Sequence, residues 1–234
     1  MFDAVDLYCE RLVPGLWAEP TNAVTNAAFL ITAWLVWRLA NQLRAISLGI
    51  WLLIGLMGAI AVGSGLFHTF ATNWARVLDV VPILLFQLIY VWVYCRYIVQ
   101  VRFAYAVGIL AVYFVAAIVG RQFPHILNGS LIYAPAVFVL LVLGCYHTAT
   151  RRVERYVVLS AMGVFFFSIT CRTIDGVICP HFPLGTHFLW HICNAIVLYL
   201  LMRGFMFNIP SEGRPCVNGV RLDFLPNHRD LAQR

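Results

Sequence analysis

Seven long stretches of mostly apolar residues, separated by short polar breaks, run along nearly the whole chain. They cover approximately residues 22–43, 46–68, 76–98, 101–120, 129–148, 155–175 and 184–206. About 20 apolar residues in an α-helix cross the hydrocarbon core of a bilayer, so each stretch is long enough to span a membrane. The pattern predicts an all-α membrane protein: a seven-transmembrane helix bundle in one domain, residues 1–207, followed by a polar tail, residues 208–234.

Composition supports this class of protein. Hydrophobic residues make up 62% of the chain and charged residues only 11%, whereas a soluble domain carries about 25% charged residues. The net charge of +6 comes from arginines in short loops and in the tail. Orientation of the helices in the membrane accounts for that charge, so we expect no nucleic-acid partner.

The distribution of arginine predicts which way the bundle faces. Arginines crowd the loops after the first, third and fifth stretches and the tail. By the positive-inside rule the tail is cytoplasmic and the N-terminus lies outside. The compact single domain favours the bacterial inner membrane over the endoplasmic reticulum or Golgi.

Three histidines inside or at the ends of apolar stretches are the leading candidates for function. Ionisable groups at membrane depth are costly and mark functional sites. His187 and His191 are four residues apart and share one helix face, and the predicted topology places His68 at the same end of the bundle. Three histidines that leave a fourth position open are the arrangement of catalytic zinc. We therefore predict Zn²⁺ bound by His68, His187 and His191.

Asp79 and Ser64 are the candidate catalytic residues. Asp79 stands among apolar residues near the start of the third stretch, where a bound cation would stabilise its charge. In the soluble HExxH enzymes a glutamate next to the first histidine accepts a proton from water, but Phe188 occupies that position here. Asp79 is the replacement that we predict, acting on a metal-activated water, and Ser64 would hydrogen-bond the water, a histidine or the oxyanion.

Two of the seven cysteines differ from the rest. The topology places Cys9 and Cys179 outside, in irregular segments, where disulfides are permitted. We predict that they pair and fasten the N-terminal segment to the loop before the last helix.

These motifs together resemble the alkaline ceramidase family. The shared features are S-x-x-x-H at 64–68, an aspartate eleven residues after that histidine, H-x-x-x-H in the last helix, and the opening run YCERLVPGLWAEPTNAVTN. The wider superfamily, which includes progestin and adiponectin receptors, shares the Ser, Asp and three-His core. The opening run favours the ceramidase branch.

The resemblance implies a zinc-dependent enzyme that hydrolyses ceramide, a membrane lipid, to a sphingoid base and a fatty acid. It also implies the same zinc ligands, the same roles for Asp79 and Ser64, and the Cys9–Cys179 disulfide.

The resemblance further implies a Ca²⁺ site in the N-terminal segment. Glu10 and Glu19 match the family's acidic ligands, and the carbonyl of Tyr8 is in a matching position. Leu7 and Leu12 stand where the family has Asp and Asn, and Asp6 would compensate by a shift of one residue. Ca²⁺ takes six to eight oxygen ligands, so we expect Glu10, Glu19 and Asp6 to contribute if calcium binds.

Two alternative functions use the same residues differently. One is a lipid receptor or lipid-binding bundle in which the zinc is structural, with Asp79 as a fourth ligand. The other is a rhomboid-like intramembrane serine protease that uses Ser64 and His191, which leaves His68 and His187 without a role.

Overall fold

The computed structural model describes residues 5–12, 15–45 and 47–209, and the backbone of 216–217 and 220–221. Eight α-helices lie in this part of the chain: α1 (Pro20–Thr25), α2 (Ala27–Leu43), α3 (Leu48–Phe70), α4 (Asn73–Val93), α5 (Phe103–Arg121), α6 (Ala134–Ala149), α7 (Val157–Ile178) and α8 (His187–Met206). A π-helical segment (Tyr94–Val99) continues α4, and a 3₁₀ segment (Ile126–Tyr133) precedes α6.

Two short strands, β1 (Cys216–Val217) and β2 (Val220–Arg221), pair antiparallel after the last helix. The remainder of the predicted polar tail lies outside the described residues.

The seven predicted membrane spans are confirmed. Helices α1 and α2 form one span of 24 residues, and within the described chain the seven spans are 19 to 27 residues long. All are apolar enough to cross a bilayer, so the chain is an integral, multi-pass membrane protein. The last helix begins at His187 rather than near residue 184, because Gly185 adopts a positive φ of 67° that ends the preceding turn.

Helix α8 is the central element of the bundle. It packs between α2 and α7, and it is the most buried of the seven spans. A central helix buries residues on every side, and α8 accordingly contributes twelve buried residues, His187 and His191 among them. The H-x-x-x-H motif therefore lies in the first two turns of the most buried helix.

Helices α3 and α4 form a tight antiparallel hairpin. Ala71 ends α3 in the left-handed conformation (φ 43°), and only Ala71 and Thr72 separate the two helices. Midway along the contact, a Cβ at Gly63 would collide with the backbone carbonyl of Leu78, so glycine permits the close approach. The hairpin brings the end of α3 and the start of α4 to one end of the bundle.

The N-terminal segment covers this same end. The amide of Val5 donates to the carbonyl of Ala71 at 2.7 Å, and the amide of Trp17 donates to the carbonyl of Thr69 at 3.3 Å. We call this end, where α3 finishes and α4 and α8 begin, the histidine end.

Candidate metal centre

Three buried histidines meet at the histidine end. His68 lies in the last turn of α3, and His187 and His191 lie one turn apart at the start of α8. One ring nitrogen from each histidine lies within 4.8 Å of the others, and none of the three residues is more than 2% exposed. These three histidines could therefore hold a metal ion.

Hydrogen bonds orient two of the rings. Nδ1 of His68 lies 2.5 Å from the Glu19 carboxylate, and Nδ1 of His191 lies 2.9 Å from the Thr25 hydroxyl. The Thr25 hydroxyl donates its own proton to helix carbonyls, so it accepts from His191. Each Nδ1 is thus engaged as a donor, and Nε2 is the nitrogen left with a free lone pair.

One ring nitrogen of each histidine has no hydrogen-bond partner in the part of the chain that the structure describes. Nε2 of His68, Nε2 of His191 and Nδ1 of His187 are all buried without a hydrogen bond. A buried polar atom left unpaired destabilises a fold by about 1–3 kcal/mol, and such atoms are rare in native proteins. Three of them in one cluster fit a site built for a cation that accepts nitrogen ligands.

Asp79 and Ser64 lie beside this cluster. Ser64 is buried on α3, one turn before His68, and Ser64 and His68 are both near neighbours of the Asp79 carboxyl on α4. The contact depends on Gly63, because that glycine lets the backbone at Leu78 and Asp79 approach α3.

Tyr8 and Arg172 complete the surroundings of the site; the sequence pointed to Tyr8 only through its carbonyl, as a calcium ligand, and did not point to Arg172. The Tyr8 ring stacks on His187 with centroids 3.6 Å apart, and Arg172 lies near Tyr8. Burial raises the pKa of the Tyr8 phenol, so the hydroxyl stays protonated. The aromatic residue next to Cys9 was the only sequence signal for this contact.

Asp175 lies three residues after Arg172, a spacing that suits a local ion pair, but the structure gives each side chain a different partner. The Asp175 carboxylate accepts from the backbone amides of Thr186 at 2.7 Å, His187 at 2.9 Å and Cys9 at 2.9 Å. It thus caps the start of α8 and holds the N-terminal segment to it, because the four leading amides of a helix have no partner within the helix.

The predicted cysteine pair is joined at this same place. Cys9 and Cys179 are disulfide-bonded, with Cα atoms 5.4 Å apart, inside the usual range. The bond ties the N-terminal segment to the end of α7, beside the Asp175 contacts.

Most of the groups named for calcium accept hydrogen bonds from the protein in the structure. Glu10 accepts from the amides of Thr21 at 2.6 Å and Asn22 at 2.8 Å, so it caps α1. Glu19 accepts from Arg11 and His68. The Tyr8 carbonyl accepts from the amide of Arg11. Asp6 is exposed to solvent.

An apolar cavity lies within the bundle, and none of the three histidines is among the residues that line it. Phe29, Tyr133 and Trp190 line it on the side of the site, and Tyr90 and Leu201 line it deeper in the bundle. Phe29 lies edge-on to His191 with centroids 6.4 Å apart. Among the described residues on its wall, Gln87 and Asn194 have the only polar side chains apart from tyrosine and tryptophan.

Seven apolar spans around a buried histidine cluster and an apolar cavity define a class: multi-pass membrane proteins with a candidate metal centre inside the bundle. Residues 7–215 match the ceramidase family, so the chain belongs to that family, and the resemblance seen in the sequence is confirmed. Membership identifies a membrane hydrolase that acts on amide bonds and takes a lipid substrate. A comparison with individual curated proteins gives no match.

Proposed function

We propose that this protein is a zinc-dependent amidase that hydrolyses ceramide-like N-acyl lipids to a sphingoid base and a fatty acid. Two observations support this: ring nitrogens of three buried histidines lie within 4.8 Å of one another, and each of these histidines has one buried ring nitrogen without a hydrogen-bond partner among the described residues. Zn²⁺ is commonly held by imidazole nitrogens, and three protein ligands with one open position characterise catalytic zinc.

The chain's own residues supply proton transfer. When bound, zinc contributes Lewis-acid chemistry, polarising the amide carbonyl and making the attacking water more acidic. Asp79 accepts the water's proton and delivers it to the amide nitrogen as the C–N bond breaks. Ser64, a near neighbour of Asp79, would hydrogen-bond the water, a histidine or the oxyanion.

The apolar cavity is the proposed site for the acyl chain. It starts beside His191 and reaches Tyr90, which lies eleven residues beyond Asp79 along α4 and therefore roughly 16 Å deeper in the bundle. An acyl chain in this cavity would place its amide group next to the three histidines.

The two alternative functions receive less support. The group of residues that could share one metal ion consists of the three histidines and does not include Asp79. This favours a zinc ion with an open fourth coordination position over a structural zinc with four protein ligands. The structure has no Ser64–His191 hydrogen bond among the described residues, and Nδ1 of His191 is hydrogen-bonded to Thr25, so the contacts do not favour a Ser64–His191 protease dyad.

Zinc content and fatty-acid release from a panel of N-acyl lipids test the proposal. We expect wild type to bind zinc, and His68→Ala to lose both zinc and activity. Asp79→Asn should keep the zinc but lose activity by about 10²–10⁴-fold, the range for removal of a general base. His125→Ala is the matched control, because His125 is exposed and lies outside the cluster.

Two results would overturn this function. One is wild-type protein with no zinc above trace at neutral pH. The other is Ser64→Ala without activity while His68→Ala retains it, which is the pattern of a serine protease.

We further propose that the histidine end faces the outside of a bacterial inner membrane and that residues 208–234 lie in the cytoplasm. The crowding of arginine in the loops at the opposite end and in the tail supports this orientation. Reporter fusions after residue 209 and within the loop between α5 and α6 test it. Cytoplasmic activity of the loop fusion would contradict it.

A further inference from the structure

Arg11 places a buried positive charge in the N-terminal segment. Its side chain is only 6% exposed, and Nε donates to the Glu19 carboxylate at 2.8 Å. Nη1 lies 3.4 Å from the carbonyl of Gly15. Burial of an unpaired charge is strongly unfavourable, so Arg11 and Glu19 depend on each other.

Glu19 links this cation to the candidate metal centre. One of its carboxylate oxygens accepts from Arg11 and the other from Nδ1 of His68. A carboxylate behind a ligating histidine fixes the tautomer and the orientation of the ring.

The oxygens named as calcium ligands in Glu10, Glu19 and Tyr8 already accept hydrogen bonds from the protein. Both oxygens of Glu10, both oxygens of Glu19 and the carbonyl of Tyr8 each accept from a protein N–H donor. Arg11 supplies two of these donors, its amide and its guanidinium. The positive charge beside Glu19 is therefore the guanidinium of Arg11, a side chain of the protein itself.

We propose that Arg11 is a built-in cation that takes the place of calcium: it holds Glu19, and through Glu19 the ring of His68, in the geometry needed to bind metal. Arg11 is a positioning residue. The inference rests on the proposed function only in that His68 is a metal ligand.

The first test needs no variant. The thermal unfolding midpoint and the zinc affinity of the purified full chain are measured with millimolar Ca²⁺ and with a calcium-selective chelator. We expect neither quantity to differ between the two conditions. A higher midpoint or a tighter zinc affinity in calcium would overturn the inference.

The second test compares Arg11→Ala, Arg11→Lys and Arg121→Ala by zinc affinity in competition with a chromogenic chelator. We expect Arg11→Ala to weaken zinc binding about 10–100-fold, as for loss of an outer partner of a metal ligand. Lysine keeps the charge but not the planar fork, so Arg11→Lys should lose less. Arg121 is exposed at the histidine end, and its alanine variant should bind zinc as wild type does.

The outcomes separate this inference from the proposed function. Wild-type zinc affinity in Arg11→Ala would overturn the role of Arg11 and leave the zinc amidase intact. Absence of zinc from wild type would overturn the amidase, and the effect of calcium on thermal unfolding would still decide whether Arg11 replaces that ion. If Arg11→Ala does not fold, Arg11→Gln, which removes the charge but keeps much of the side chain, with unchanged zinc affinity would contradict the inference.

Discussion

Asp175 holds three separate pieces of chain together through one buried carboxylate. The side chain is fully buried. Its carboxylate oxygens accept hydrogen bonds from the backbone amides of Cys9 in the N-terminal segment and of Thr186 and His187 at the start of α8. A carboxylate that accepts several backbone amides near a helix N-terminus also benefits from the helix dipole. The residue thus positions a candidate metal ligand through the backbone amide of that ligand, His187.

Asp175→Asn should destabilise the protein without removing a metal ligand. The amide side chain has a single acceptor oxygen in place of two, so at least one buried N–H group loses its partner. Loss of a charge-assisted hydrogen bond costs about 1.5–3 kcal/mol. We expect a lower Tm in a thermal unfolding measurement, whereas Asp6→Asn, at an exposed position, should leave Tm unchanged. Equal Tm values for the two variants would show that the Asp175 contacts contribute little.

At the scale of elements, the α3–α4 hairpin decides how far Asp79 lies from Ser64 and His68. The backbones approach closely at Gly63, where any Cβ would meet the carbonyl of Leu78. Two neighbouring positions on α3 behave differently: Gly58 and Gly65 have open space where a Cβ would stand.

Gly63→Ala should therefore impair catalysis by pushing α4 away from α3. We expect kcat to fall at least about tenfold, because a displacement of about 1 Å in a catalytic group can lower a rate by 10²-fold. Zinc content should stay at the wild-type level, since the displaced helix α4 carries none of the three histidines. Gly65→Ala, on the same helix and adjacent to Ser64, is the control and should retain activity. Full activity in Gly63→Ala would contradict this account of the hairpin.

Tyr90 on α4 forms the deep end of the apolar cavity. It is 2% exposed, and its hydroxyl donates to the carbonyl of Leu201 at 3.2 Å. The ring therefore stays in place across the cavity, and under the proposed function it limits the length of the acyl chain.

Tyr90→Val should shift the preferred substrate toward longer acyl chains. One methylene in an apolar pocket changes specificity by about 10-fold or more, so the ratio of kcat/KM for a longer to a shorter N-acyl lipid should rise about tenfold. A ratio is the proper measurement because loss of a large buried side chain also lowers stability. Tyr105→Val, at an exposed position on α5, should keep the wild-type ratio. An unchanged ratio in Tyr90→Val would place the acyl chain elsewhere.

At the scale of the whole molecule, the N-terminal segment is fastened over the candidate metal centre from several directions. The Cys9–Cys179 disulfide spans 170 residues of sequence, and the ring of Tyr8 stacks on His187 beside it. These contacts close the histidine end of the bundle around the buried nitrogens.

Loss of the disulfide should lower thermal stability. Removal of a native disulfide typically costs 2–5 kcal/mol, which for a chain of this size corresponds to roughly 5 °C or more in Tm. Cys9→Ser, Cys179→Ser and the double variant should show the same lowered Tm, because any one change breaks the same bond. Cys145→Ser is the control, since Cys145 is free and exposed. Additive effects of the two single changes would argue against a shared bond.

The sequence alone predicted the seven spans and gathered the candidate residues at one end. Both inferences rest on local regularities: a run of about 20 apolar residues and the four-residue spacing that aligns His187 with His191 on one helix face. The family follows from the same spacing together with the opening run. The last span begins at His187 and not at residue 184, because its start depends on the Gly185 turn.

Only the tertiary structure determined how the site is supported. Glu19 meets His68 across 49 residues, and Thr25 meets His191 across 166, so neither contact has a local pattern. The carboxylates expected to bind calcium instead accept from Arg11, from His68 and from the first amides of α1. The amino-acid composition shows only which residue types are available for such contacts. Which donor reaches which carboxylate is fixed when distant segments pack, because a hydrogen bond requires a separation of about 3 Å that spacing along the chain does not encode.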